Sequence, residues 1–513
     1  MILDRHSMIT LGRVLVAVAV LTSTLVASLA ESYELGFSTY IGGSGEGQVR
    51  DVTVDQHGNV YISGGTSSAD FPRTVGQAHQ GSYDVFVVKY DKRGQLIWSR
   101  LLGGPNYDRA YAVEVDEQGY VYLGGRAGPG YPTTPNAVQP QFGGDSNPNA
   151  LYGLQDGFVT KLSPDGTQVV WSTFFGGNDR GFFRDIDIDD MGNVYGALCA
   201  NSVVNPHITL GAYFTNRPSS PSFGIVTKIS SDGTDVIWAS YLGGQDGGYS
   251  FGTPSIRVDD QGYVVVASHT ASASMPTTSG AYDRVKNGNS DMHIAKFLPD
   301  GSDLVFATYL GGSDIEYGDT HNLALDANGD IIVAATTKSA DFPVTSGSFQ
   351  SLHGGNGGQY SQLGDGFIAR LSPDGSRLLA ATFYGGSSGE GLEGVGVDSE
   401  GNIYVSGGTY STNLPVAGSL FGPNSIGSGR PDAFVAKFSA DLSKLIFGTC
   451  IGGSNWDLGL TTPAESDGAL YLAGETKSSD FPTGDAVDND LSGTKNGILV
   501  RIDIPPSTLD RNR

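Results

Sequence analysis

The chain repeats itself, and that repetition limits its fold more than any other feature. Residues 156–177 read Asp-Gly-Phe-Val-Thr-Lys-Leu-Ser-Pro-Asp-Gly-Thr-Gln-Val-Val-Trp-Ser-Thr-Phe-Phe-Gly-Gly, and a near copy returns at 365–386. Two short apolar runs joined by Pro-Asp-Gly form the pattern of a β-hairpin. A repeat must be recognised before a length of 513 residues is converted into a domain count.

A Gly-Gly pair closes a strand seven times, at Gly42-Gly43, Gly103-Gly104, Gly176-Gly177, Gly243-Gly244, Gly311-Gly312, Gly385-Gly386 and Gly452-Gly453. After each pair comes a variable loop and then a strand ending in an Asp-x-x-Gly turn, as at Asp55–Gly58 or Asp398–Gly401; the seventh turn is degenerate, Glu465-Ser466-Asp467-Gly468. A second strand leaves that turn, and a longer loop follows, often carrying Asp-Phe-Pro (70–72, 341–343, 480–482). The hairpin completes the unit. Four strands, A to D, repeating at roughly 60–75 residues point to a β-propeller with enlarged loops. Runs such as Val169-Val170-Trp171 are apolar at consecutive positions, which suits blades buried on both faces.

The expected fold is therefore all-β, a seven-bladed β-propeller of four-stranded antiparallel blades. The strand at 35–41 is a lone D strand with no A, B or C before it, and the last unit has A, B and C (496–502) but no D. Pairing the two gives one-plus-three closure and removes two exposed sheet edges.

Composition agrees. Gly is abundant (75 residues), charged residues make up only 16% and the net charge is −24. That balance favours solubility and disfavours nucleic acid, whose binding requires Lys and Arg against phosphate. Residues 1–30 read as a signal peptide, with Arg5 and Arg13 before an apolar run and Ser28-Leu29-Ala30 at the end; a retained membrane anchor is the alternative. The expected division is 1–30 signal peptide, 31–504 propeller and 505–513 flexible tail, with no membrane span after cleavage. The two cysteines, Cys199 and Cys450, fall in distant repeats and read as buried thiols.

Four stretches resemble the bacterial seven-bladed β-propeller repeat (SBBP) family: Asp-Gly-Phe-Val-Thr-Lys-Leu-Ser-Pro-Asp-Gly at 156–166, Ser-Thr-Tyr-Ile-Gly-Gly-Ser at 38–44, Val-Asp-Ser-Glu-Gly-Asn-Ile-Tyr-Val-Ser-Gly at 397–407 and Ser-Ala-Asp-Phe-Pro at 339–343. The resemblance runs through nearly the whole chain after the leader and implies a secreted or cell-surface bacterial protein. It transfers no catalytic residue, because the shared motif consists of turn and strand positions. Blade 3 departs from it most, its loop from Asn201 to Phe223 lacking Asp-Phe-Pro.

The A–B and C–D turns are tight in every unit, so one rim is uniform. The D–A and B–C loops carry the variation and are where a site belongs. Aligning the A strands on their terminal Asp gives Arg50, Tyr111, Arg184, Pro254, His321, Glu393 and Leu460 at one channel position. The next position reads Asp51, Ala112, Asp185, Ser255, Asn322, Gly394 and Thr461. A purely structural position would repeat one residue type; these do not. Arg50, Asp51, Tyr111, Arg184, Asp185, His321 and Glu393 are the candidate ligand-binding residues. Tyr111, Arg184 and His321 are the candidates for proton abstraction beside a neutralised carboxylate, and mutual charge pairing in a solvated channel mouth is the competing reading. Tyr107, Phe182, Tyr249, Tyr317 and Trp456 recur after the Gly-Gly pairs, either to stack on sugars or to plug gaps between blades.

Gly385–Gly389 spells a nucleophile elbow and Gly389–Gly394 a dinucleotide fingerprint, but a strand follows where each needs a helix. Asp185, Asp187 and Asp189 alternate along a strand over too long a span for one ion, whereas the loop carboxylates Asp314, Glu316 and Asp319 leave calcium open. No cofactor is expected otherwise. The sequence reading is a secreted, periplasmic or cell-surface monomer that binds an extracellular glycan or surface protein through its loop-rich face. The alternatives are a lyase-type polysaccharide-acting enzyme with its site at the channel mouth, and a structural envelope protein.

Overall fold

The computed structural model describes residues 32–146, 148–201, 205–357, 364–422, 430–485 and 488–505. The expected signal peptide and the tail from 506 onward lie outside them. Among the described residues there are seven sheets and no helix long enough and apolar enough to cross a membrane.

Each sheet is one blade. Blade 2 has A Arg109–Val115, B Val121–Ala127, C Asp156–Leu162 and D Val169–Phe175, paired in sequence order and antiparallel. The hairpin that opens the sequence argument is thus a C–D pair. Blade 1 adds a short strand, Val75–Gly76, parallel to its D strand Leu96–Leu102, which the sequence does not announce.

The first strand, Glu34–Ile41, pairs antiparallel with the last, Asn496–Asp503, and the latter pairs with Ala469–Thr476. Blade 7 is therefore assembled from both ends of the described chain. Seven apolar clusters fill the seven interfaces between blades, among them Phe37, Ile41 and Leu499 of blade 7 against Val60 and Phe86 of blade 1. B strands such as Val60–Thr66 are buried at every residue because both of their faces meet a neighbour.

The repeat residues explain themselves locally. A Cβ on Gly176 or Gly452 would collide with the carboxylate of Asp156 or Asp432 at the start of the adjacent C strand, so the backbone approaches only as glycine. Trp98, Trp171 and Trp238 on D strands each donate from Nε1 to a carbonyl in the next blade's C–D turn, at 3.1, 2.9 and 3.0 Å. Their rings lie on the turn glycines Gly166, Gly233 and Gly301. Between blades 5 and 6 the pairing is inverted: Ala380 stands in the Trp position, and buried Leu442 fills the space from the turn at a φ of 57°. Blade 7 has no C–D turn to cover Phe447, and Tyr33 stacks on that ring instead, at 3.8 Å.

Candidate functional site

The seven A strands are not equivalent. In blades 1, 2, 3 and 6 the pairing with the B strand slips by one residue, between Val49 and Asp51, Ala110 and Ala112, Phe183 and Asp185, and Leu392 and Gly394. The extra residues are Arg50, Tyr111, Arg184 and Glu393. A bulge frees its residue from the ladder and turns its side chain, so four of the candidates are aimed by one device. In blade 4 the A strand shrinks to Ser255–Val258, in blade 5 it splits into Glu316–Tyr317 and Leu323–Leu325, and in blade 7 it splits into Asp457–Gly459 and Ala464–Ser466.

His321 lies in the blade 5 gap. Its φ of 68° is left-handed, a conformation most residues avoid. This carries the side chain across the axis, where it is 1% exposed. Its Nε2 lies 3.1 Å from the carbonyls of both Arg50 and Tyr111 and 3.7 Å from Asp51, and its Nδ1 lies 3.5 Å from Asp185. Burial opposes the charged ring, but Asp51 and Asp185 outweigh it and lift the pKa to about 9. Asp185 also holds Arg257 Nη1 at 2.8 Å and accepts from Ile256 N, while Asp51 accepts from Val113 N. Desolvation carries Asp51 up to about 6. His321, Asp51 and Asp185 thus form a buried ionic plug that ties blade 5 to blades 1 to 4.

Above the plug the other candidates converge. The guanidinium of Arg184 lies 4.7 Å from the Tyr111 ring centroid and that of Arg50 lies 5.4 Å from it. Two arginines that the sequence reading passes over join them: Arg109 at 4.6 Å, hydrogen bonded to the Tyr111 hydroxyl and to Gln48, and Arg126 at 5.5 Å. Arg126 also lies 3.8 Å over Tyr152, from the long B–C loop of blade 2. It is 3% exposed, and its Nε and Nη2 have no hydrogen-bond partner among the described residues. Burial alone would raise the Tyr111 hydroxyl, but Arg109, Arg126, Arg184 and Arg50 together bring it down to about 6.

The opposite side of the mouth is acidic and aromatic. Asp319 lies 3.7 Å from Arg184, and Arg184 and Arg50 overcome burial to hold its carboxyl down at about 2. Glu393 is hydrogen bonded to Asp319; burial, then the Asp319 charge, raise it to about 8. Tyr249, His269 and Tyr317 form a row, with centroid separations of 6.1 and 4.6 Å. The mouth is therefore bipolar, with cations from blades 1 to 3 and acids and rings from blades 4 to 6.

The remaining candidates are placed as follows. Of the recurrent aromatics, Tyr107 stacks on Tyr83 of the preceding blade and Trp456 carries Lys477 over its ring, so these two join neighbouring loops. Glu316 is buried and accepts from Thr337 and Gly312, and Asp314 accepts from Asn289. Among the described residues no group of three or more His, Cys, Asp or Glu side chains is arranged to hold a metal ion. Cys199 and Cys450 are both buried, in blades 3 and 6. The B strands held a legible signal for Arg126. Their penultimate residues run Gly65, Arg126, Cys199, His269, Thr336, Gly408 and Glu475, as irregular as the A-strand position that was used.

Among solved structures the chain is similar to a protein of unknown function from Dyadobacter fermentans (11% identity, 92% of this chain and 99% of that one, TM-score 0.44). It is also similar to a PL25 ulvan lyase bound to -[GlcA(1-4)Rha3S]- (12%, 92% and 98%, TM-score 0.44) and to the phage phi92 endosialidase (11%, 93% and 70%, TM-score 0.43). These likenesses concern fold alone. A search of curated protein sequences gives no significant match. The family model described as a beta-propeller repeat, SBBP, matches residues 36–72 and 97–128. The chain thus carries beta-propeller repeats of the SBBP kind in its first two blades and folds as a seven-bladed β-propeller.

Proposed function

We propose that the protein is a non-catalytic binder of an acidic glycan, which it holds by a carboxylate or sulfate group on the cationic wall of the channel mouth. One observation carries this reading: four guanidinium groups crowd one tyrosine in a chain of net charge −24, and the buried Nε and Nη2 of Arg126 lack acceptors among the described residues. Gathering like charges out of water costs stability, and an anionic ligand is the partner that offsets it. Arg184 and Arg50 are half-buried and form the open edge of the cluster. The expected leader at 1–30 supports an address outside the cytoplasm, where such a glycan is met.

A lyase reading needs a base that reaches substrate. Tyr111 and His321 are each 1% exposed, and the tyrosine hydroxyl is engaged by Arg109, which favours binding over proton transfer. The test is retention of the purified protein on uronate, sulfated and neutral glycans at two salt concentrations, with unsaturated-product absorbance followed in parallel. The expected result is salt-sensitive retention of acidic glycans only, with no product. Equal retention of neutral glycans, or appearance of product, refutes the reading.

A further inference from the structure

The acidic and aromatic wall has features that binding a lone anion does not require. Tyr249 is 43% exposed, with its hydroxyl beside Ser222 and Cys199. One face of the ring lies toward His269 and the other is open. Behind it His269 is held by Nδ1 donating to the Gly318 carbonyl at 3.0 Å. A Cβ on Gly252 would collide with that imidazole, so the row keeps its place only because residue 252 is glycine. A rigid aromatic face beside carboxyl acceptors is the arrangement that takes a pyranose ring, with its C–H face on the aromatic and its hydroxyls donating to the acids. The charge of Asp319 also decides which ring. It stands 3.7 Å from Arg184, so the sugar next to a carboxylate seated on that arginine meets an anion, which repels a second carboxylate.

We propose that this wall is a second subsite, specific for a neutral sugar. The ligand is accordingly a glycan in which acidic and neutral residues alternate, its uronate on Arg184 and its neutral neighbour on Tyr249, donating to Asp319 and Glu393. This rests on the reading of the cationic wall given above.

Three probes test it by titration calorimetry on the purified protein: glucuronate, a tetrasaccharide of alternating glucuronate and N-acetylglucosamine, and tetragalacturonate. The alternating tetrasaccharide is expected to bind about three- to tenfold more tightly than glucuronate, the scale of a stacked ring. Tetragalacturonate gains nothing over glucuronate. Tyr249→Ala erases the tetrasaccharide's advantage and leaves glucuronate affinity unchanged, and Tyr249→Trp restores it. Tetragalacturonate binding as well as the alternating tetrasaccharide overturns the subsite. So does a Tyr249→Ala variant that weakens both glucuronate and the tetrasaccharide alike, or neither. If none of the three probes binds wild type, the cationic wall itself is misread and the subsite falls with it.

Discussion

Replacing Arg126 by methionine is expected to make the protein more stable while weakening its hold on an acidic ligand. The guanidinium is 3% exposed, and two of its nitrogens have no acceptor among the described residues. Burial acts first against its charge, and with Arg109 and Arg184 it outweighs the support of Tyr111 and Tyr107. Removing a buried charge in favour of an apolar side chain of similar length is worth about 1–4 kcal/mol. Against this stands the stacking on Tyr152 at 3.8 Å, a cation–π contact worth about 1–2 kcal/mol when desolvated. The stem of methionine keeps the packing on Tyr152, so the net gain is about 1–2 kcal/mol. An unfolding entropy of roughly 2.1 cal/mol/K per residue makes each kcal/mol worth about 1 °C in a cooperative unit of this size. Differential scanning calorimetry should thus show Tm rising by about 1–2 °C, while salt-sensitive retention on acidic glycan weakens. Arg126→Lys, which keeps the charge, should not gain stability. A Tm for Arg126→Met below that of wild type would mean that the guanidinium has a counterion, and the argument for the cationic wall would fail.

Other expectations follow from the same geometry. His321→Ala leaves Asp51 and Asp185 facing each other without the imidazolium between them, a loss of about 3–5 kcal/mol that chemical denaturation will register; no loss would show that the plug is not ionic. Stability should fall as pH rises from 6.5 to 8.5. Burial first, with neighbouring charges, places Asp108, Glu316 and Glu390 at about 7 and Asp156 and Glu393 at about 8, all above their unfolded values, so the folded state holds more protons across that window. His321, raised to about 9, acts in the same direction, and Tyr111, lowered to about 6, opposes it with a single proton. A Tm that climbs over that pH range contradicts this balance. Leu442→Gly relieves a φ of 57° but empties the space beside Ala380, and should cost about 2–4 kcal/mol; Leu442→Gly with Ala380→Trp restores the arrangement of the other blades and should recover most of it.

Strand number, turn positions and the pairing partner of residues 35–41 were legible because each rests on a local signal repeated seven times. Glycine pairs, Asp-x-x-Gly turns and consecutive apolar runs have the same physical cause in every blade, so copies reinforce one another. The site has no copies. Aligning the A strands picked out Arg50, Tyr111, Arg184 and Glu393, the bulge residues, because irregularity against a regular background is itself informative. That alignment assumed equal strands, however, and so placed His321 beside Tyr111 when it lies beneath. The gap in blade 5 arises where the Gly318-Asp319-Thr320 segment leaves the ladder, and no residue count shows that. Arg109, at the start of its A strand, and Arg126, on a B strand, lie outside the two A-strand positions aligned on the terminal Asp, so that alignment does not show them.

The seal of the ring has a consequence for how the molecule is made. Synthesis delivers residues 34–41 before every other described strand and their partners 496–503 after all of them. Six sheets can form in passing while the earliest ribbon waits, its backbone groups bare, for a neighbour that does not yet exist. A message cut short before codon 496 would therefore yield a body with two raw margins rather than a slightly smaller disc, and such margins stack with those of other chains. The codons for residues 496–503 decide whether those margins are covered.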